Sequence, residues 1–137
     1  MKKFLIAVCL SIGLSSLAWA AQLQDPPKIE IATPADAAQV KTAITTAANR
    51  RKWQISESAP GELEASITVR GRHMVKVAIA YDRQSVQIRY LDSANMDYEP
   101  SNGRAYINGN YMKWTETLAA DIRGQLKQIG QTTASAQ

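Results

Sequence analysis

The 137-residue sequence predicts an α+β fold in which a helix, a four-stranded antiparallel meander and a second helix follow one another. Apolar residues recur at helical spacing in residues 35–50 and 111–129, whereas they alternate with polar or small residues in residues 53–91. Each helix and the sheet therefore have one apolar face. The simplest arrangement packs both helices on one face of the sheet, so that all three bury their apolar residues together.

The first 20 residues resemble a secretory signal peptide, which we expect to be removed by cleavage between Ala20 and Ala21. Lys2 and Lys3 precede an apolar stretch, residues 4–17, and small residues stand before the cleavage point. This pattern predicts a periplasmic protein with no transmembrane segment after cleavage. An uncleaved membrane anchor is the alternative, but the apolar stretch is shorter than the roughly 18 residues expected of a span.

Removal of this segment changes the composition from which the class of protein is inferred. It takes away Cys9, the only cysteine, so the mature chain must be stable without a disulfide in an oxidising compartment. It also takes away Lys2 and Lys3, which lowers Lys plus Arg from 16 to 14 against 12 acids and the formal charge from +4 to +2. So small an excess of positive charge predicts no nucleic-acid partner.

The polar stretches at both ends predict the domain boundaries. Residues 21–28 carry Pro26-Pro27 among polar side chains and predict an extended lead-in, and residues 130–137 are small and polar and predict a disordered tail. Residues 29–129 between them form a single predicted α+β domain, since a chain of this length can build one modest core.

The first predicted helix has signals at both ends. Thr33 is expected to cap it, Pro34 to occupy its first turn, and Asp36 to lie near the positive end of the helix dipole. Apolar residues in 40–48 share one face, and the cations of residues 50–52 suit the negative end of the dipole. An anion-binding patch is the alternative interpretation of these cations.

Parity predicts the pairing within the meander, because residues that pair directly in adjacent strands point to the same face. An odd loop around Gly71 pairs Val69 with Val75, and an even loop pairs Tyr81 with Val86. The apolar residues of all four strands then point to the face that the helices cover.

The opposite face of the sheet carries small residues at its centre and cations, Lys76 and Arg89, at its flanks. This open sheet face is a candidate platform for a peptide, a glycan or a second copy of the chain. The alternative is the ordinary solvated side of an antiparallel sheet.

Residues 92–110 lack a clear period, and so long a segment without regular structure is typically functional or disordered. The second helix follows, with Asn108 or Asn110 as its cap and Gly130 just after its end. The candidate binding residues in and next to this segment are Asn95, Asp97, Tyr98, Asn102, Arg104, Tyr106, Asn110 and Tyr111. Amphipathic rings beside polar groups are typical of a groove for a sugar or a peptide, although the same rings could instead cover the small core.

No catalytic or metal-binding motif emerges from the sequence, so we expect no cofactor and no metal. His73, the only histidine, has no cysteine partner in the mature chain. The spacing Asn95-x-Asp97-x-Glu99 resembles a calcium loop in its alternating oxygen ligands but lacks the glycine and the distant glutamate in register. Scattered carboxylates leave one enzymatic alternative, a hydrolase of an envelope polymer that uses Asp92, Asp97 and Glu99.

Several motifs together resemble a family of small exported proteins and lipoproteins of proteobacteria that has no established activity. These motifs are Trp53, Pro60-Gly61, Val77-x-Ile79-x-Tyr81, Ile88-x-Tyr90, Asn95-Met96-x-Tyr98 and Ile107-x-x-Asn110-Tyr111-x-x-Trp114-x-x-x-Leu118. The resemblance covers most of the mature domain and implies a bacterial periplasmic or envelope setting. Many members carry a lipid-attachment cysteine, whereas Cys9 lies too deep in the apolar stretch to match it.

The function predicted from the sequence is therefore that of a non-enzymatic periplasmic or envelope-associated binding protein. Its expected partner is an envelope protein, a peptide or a glycan. The working surface is expected to be either residues 92–110 with the start of the second helix or the open sheet face, and the latter could also form a homodimer.

Overall fold

The computed structural model describes residues 20–33 and 35–135 and shows an α+β protein with two helices and two antiparallel sheets. The predicted signal peptide up to residue 19, the predicted first-turn residue Pro34 and residues 136–137 of the predicted tail lie outside the described residues. In chain order the elements are β1 (Ala20–Gln22), β2 (Ile29–Glu30), α1 (Ala37–Arg50), β3 (Gln54–Ala59), β4 (Glu62–Val69), β5 (His73–Tyr81), β6 (Ser85–Ala94), β7 (Glu99–Ser101), β8 (Arg104–Asn108) and α2 (Asn110–Ser135).

The larger sheet contains the predicted meander but is not limited to it. Its order is β2-β6-β5-β4-β3, so the four expected strands are consecutive neighbours and β2 adds a fifth beside β6. The smaller sheet has the order β1-β8-β7 and was not predicted from the sequence. Both sheets recruit strands from the N-terminal residues, so the expected lead-in 21–28 is tied down at both ends rather than merely preceding the domain.

The predicted register is confirmed in one hairpin and wrong in the other. Tyr81 pairs with Val86 as expected. Val69 pairs with His73 instead of Val75, which keeps the parity but shifts the register by two residues. The reason is a tight turn in which Arg70 and Gly71 both adopt positive φ, 54° and 67°, so the strands begin to pair sooner than the sequence suggested.

Helix α1 begins at Ala37, later than predicted, because Asp36 rather than Thr33 is its cap. The Asp36 carboxylate accepts the Gln39 backbone N–H at 2.8 Å, and the Gln39 side chain accepts the Asp36 N–H at 3.1 Å. These reciprocal bonds form a capping box, which satisfies two backbone donors at once.

Helix α2 continues to Ser135, so the prediction of a disordered tail is wrong for residues 130–135. Gly130 does not end the helix. A Cβ built on Gly130 would come within 3.2 Å of the Thr33 hydroxyl, so the glycine allows the chain before α1 to approach the helix closely. None of the described helices is long and apolar enough to cross a bilayer.

The core is one cluster that joins α1, α2 and one face of the larger sheet. The predicted apolar face of α1, including Val40 and Ile44, is fully buried, as are Leu118 and Ile122 of α2. Met96 and Ile107 from the segment 92–110 join the same cluster. That segment is therefore anchored to the core, which positions the surface features described below.

Candidate functional site

The segment 92–110 folds into regular structure where the sequence analysis expected a loop. Strand β6 extends to Ala94, a short connection buries Met96, and β7 and β8 form a hairpin closed by Asn102 and Gly103 at φ 44° and 76°. An Asn-Gly pair is the strongest short sequence signal for such a hairpin, because both central turn residues need positive φ. This signal was overlooked in the sequence analysis.

Three tyrosines form a stack that runs from the core to the surface. The rings of Tyr98 and Tyr90 are stacked with centroids 4.5 Å apart, and Tyr90 meets Tyr111 edge to face at 5.6 Å. Tyr111 is completely buried, whereas Tyr98 is 41% exposed. We call Tyr98, Tyr90 and Tyr111 the tyrosine stack. Its outer ring is held in place by the two rings behind it.

Asp25 fixes the inner end of the tyrosine stack. Its Oδ1 accepts the Tyr111 hydroxyl at 2.6 Å and the Tyr90 backbone N–H at 3.0 Å. Burial raises the pKa of Tyr111 far above its usual range, and the hydrogen bond to Asp25 adds to this rise. The role of Asp25 was not predicted from the sequence, because its partners lie 86 and 65 residues away.

An open concavity of about 490 Å³ lies between β1 and the β7–β8 hairpin, and we call it the hairpin concavity. Three predicted binding residues, Tyr98, Asn102 and Arg104, meet there. The other lining residues are Gln22, Leu23, Pro100, Ser101, Gly103 and Ala105. The site therefore combines one exposed aromatic ring with amide, hydroxyl and guanidinium groups.

A second, smaller concavity of about 220 Å³, the His73 pocket, lies on different residues. Its lining residues are Val69, Arg70, His73, Met96, Asn108, Asn110 and Trp114. His73 Nδ1–H donates to the Asn95 carbonyl at 2.8 Å, and the Asn95 side chain donates to the Arg72 carbonyl at 2.7 Å. Two of the predicted binding residues thus belong to this pocket: Asn110 lines it, and Asn95 supports it.

The remaining predicted residues lie elsewhere. The prediction that Tyr111 binds a ligand is wrong, because a completely buried ring that bonds to Asp25 cannot itself contact one. Asp97 is exposed at φ 53°, and Tyr106 is half-buried within β8.

The candidates on the open sheet face have neighbours of opposite charge on that sheet. Lys76 pairs in register with Asp92 on β6. Arg89 lies 3.6 Å from the Glu62 carboxylate. Neither Lys76 nor Arg89 lines either of the two concavities. The two cations of the open sheet face therefore lie outside the hairpin concavity and the His73 pocket.

Among the described residues, no three His, Cys, Asp or Glu side chains lie close enough together to hold a metal ion. Comparison of the chain with models of protein families, with curated proteins and with solved structures finds no match. The resemblance to exported proteobacterial proteins therefore stays a prediction, as do the envelope-polymer hydrolase and the homodimer.

Proposed function

We propose that this chain is an exported, non-enzymatic binding protein of the bacterial envelope and that the hairpin concavity is its working surface. The observation that carries the proposal is Tyr98, a large aromatic side chain that is exposed and yet held by stacking. The partner chemistry that fits is a peptide or a glycan with both apolar faces and polar edges.

The tyrosine stack explains why Tyr98 suits binding. A ring that is already fixed against Tyr90 loses little conformational entropy when a partner covers it, so more of the contact energy is available for affinity. Its neighbour behind, Tyr90, is fixed in turn by Tyr111 and by the bond from its own N–H to Asp25. The surface is therefore preorganised from the core outward.

Polar groups at the rim of the hairpin concavity supply specificity. The side chains of Gln22, Asn102 and Arg104 have no hydrogen-bond or ion-pair partner within residues 20–33 and 35–135. Amide and guanidinium groups at such a rim can bond to peptide carbonyls or to sugar hydroxyls. The combination of an apolar ring with free donors is typical of a recognition surface rather than of a catalytic one.

The test is capture of a partner from envelope extract by the purified protein and by two matched variants. Tyr98→Ala removes the exposed ring, and Leu91→Ala removes a large apolar side chain of comparable exposure, 44%. We expect Tyr98→Ala to lose the partner and Leu91→Ala to retain it, with both variants folded by circular dichroism. Equal recovery by Tyr98→Ala and the parent protein would refute the role of the concavity.

A second arm of the same experiment distinguishes the two partner classes. Extract treated with a protease should lose a peptide partner and keep a glycan. Export is tested separately by fractionation and by sequencing the N-terminus of the recovered protein, for which we expect Ala21 as the first residue. Recovery of the uncleaved chain from the cytoplasm would contradict export without affecting the binding result.

A further inference from the structure

We propose that the His73 pocket is a second binding site, which takes a small monocarboxylate with a short apolar group. The pocket shares no lining residue with the hairpin concavity. The proposal does not depend on the partner proposed for that concavity.

Several polar side chains of the His73 pocket have no partner among the described residues. Arg70, Asn110 and Trp114 have no side-chain hydrogen bond or ion pair to any described residue. Asn108 uses only its Oδ1, which accepts the Asn110 backbone N–H at 3.0 Å, so its amide N–H groups are also free among the described residues. Four donor side chains of three kinds, guanidinium, amide and indole, thus surround one pocket of about 220 Å³.

The charge of the pocket favours an anion. Among the described residues, no carboxylate lines the pocket, and Arg70 is its one permanent cation. A guanidinium group matches the planar geometry of a carboxylate and can bind it through two parallel bonds. A single permanent cation suits a monoanion better than a dianion, and this favours a carboxylate over inorganic phosphate.

The backbone near these donors adopts an unusual conformation at two residues. Arg70 lies at φ 54° directly after β4, and Asn95 lies at φ 55° directly after β6. The left-handed region is unfavourable for a residue other than glycine, and such strain is concentrated at functional sites. Asn95 uses this conformation to present its carbonyl to His73 Nδ1–H, which leaves Nε2 as the free ring nitrogen.

The apolar part of the ligand has a place in the same pocket. Val69, Met96 and the ring of Trp114 form its apolar wall. Asn110 and Trp114 are four residues apart at the start of α2, so they lie on the same side of that helix. A short aliphatic group attached to the carboxylate can therefore contact Trp114 while Arg70 binds the charge.

His73 makes the proposal directly testable, because the chain contains one histidine and its two imidazole C–H signals in NMR spectra report on this pocket alone. The purified protein is titrated with N-acetyl-leucine, with acetate, with inorganic phosphate and with the neutral N-acetyl-leucinamide, in about 0.15 M salt to screen surface charge. We expect a saturable shift with N-acetyl-leucine, a weaker one with acetate and with phosphate, and none with the amide.

Two variants from one turn provide the matched control. Arg70→Gln removes the charge that lines the pocket, whereas Arg72→Gln removes an equal charge whose side chain does not line it. We expect Arg70→Gln to weaken binding about tenfold or more and Arg72→Gln to change it less than about twofold. Trp114→Phe keeps a ring, loses the indole N–H and should weaken binding to a smaller extent.

Several results would overturn the proposal. These are the absence of a saturable shift with any carboxylate up to about 50 mM, equal losses in Arg70→Gln and Arg72→Gln, or an equal shift with the amide. Tighter binding of phosphate than of N-acetyl-leucine would overturn the assignment to a carboxylate. Spectra of each variant without ligand verify that it is folded.

Discussion

Removing the Asp25 carboxylate should loosen the tyrosine stack and destabilise the whole domain. Asp25→Ala deletes the acceptor of two hydrogen bonds, at 2.6 Å from the Tyr111 hydroxyl and 3.0 Å from the Tyr90 N–H. The Tyr111 hydroxyl is then left inside the core without a partner, which costs about 1 to 3 kcal/mol. Asp25 itself is exposed, so the loss comes from its two hydrogen bonds rather than from packing. We expect a total loss of about 2 to 3 kcal/mol in the free energy of unfolding.

A double-mutant cycle measures the part of this loss that belongs to the bond between Asp25 and Tyr111. Urea unfolding is compared for the parent protein, Asp25→Ala, Tyr111→Phe and the double variant. The sum of the stability losses in the two single variants should exceed the loss in the double variant by about 1 kcal/mol, because the second change removes a bond that is already broken. Gln24→Ala, next to Asp25 and also exposed, is the control and should change stability little.

The result that would refute this reasoning is additivity. If the losses in the two single variants add to within about 0.3 kcal/mol, the two side chains do not interact in solution. Asp25→Asn refines the interpretation, because it keeps an acceptor oxygen and loses the charge. The stability of Asp25→Asn should fall between that of the parent protein and that of Asp25→Ala.

Three further predictions concern pH and backbone conformation. The pKa of Tyr111 is raised in the folded state, so ionisation of this tyrosine should leave stability unchanged below about pH 10 and lower it as the pH rises further. Urea unfolding from pH 9 to 12 should show a shallower decline in stability for Tyr111→Phe than for the parent protein. Equal slopes would contradict the assignment. Backbone N–H bonds lower the pKa of Asp82, so its stabilising effect should be complete above about pH 5 and lost at lower pH. The difference in stability between the parent protein and Asp82→Ala should therefore shrink in acid. A constant difference would count against this role of Asp82. Gly103→Ala should lower the free energy of unfolding in urea by about 1 kcal/mol and speed hydrogen exchange in the hairpin. The cause is the φ of 76° at this residue, since no atom lies within 4 Å of the added Cβ. Unchanged stability and unchanged exchange would contradict the turn geometry.

The sequence predicted those parts of the fold that depend on local periodicity. The apolar faces of α1 and α2 and the pairing of Tyr81 with Val86 follow from spacing and parity alone. The pairing of Val69 was wrong because it depends on the conformation of Arg70, which places a residue other than glycine in the left-handed region. No spacing rule indicates that choice, since it is made by the surrounding structure.

The candidate sites could be predicted only in part, for the same reason. Tyr98, Asn102 and Arg104 are close in sequence and meet in the hairpin concavity, as a local pattern can indicate. The His73 pocket instead joins the turn before β5 to the start of α2, and nothing in either stretch points to the other. Asp25 is a similar case, because a carboxylate among polar residues carries no sign of a partner in the core.

The early residues that join both sheets impose an order on folding. Ala20 pairs with Asn108 and Gln22 pairs with Tyr106, so β1 finds its partner strand only in the last third of the chain. Contacts of such long sequence separation close large loops and form slowly. A chain that is synthesised from its N-terminus therefore keeps residues 20–22 unpaired until β8 has been made.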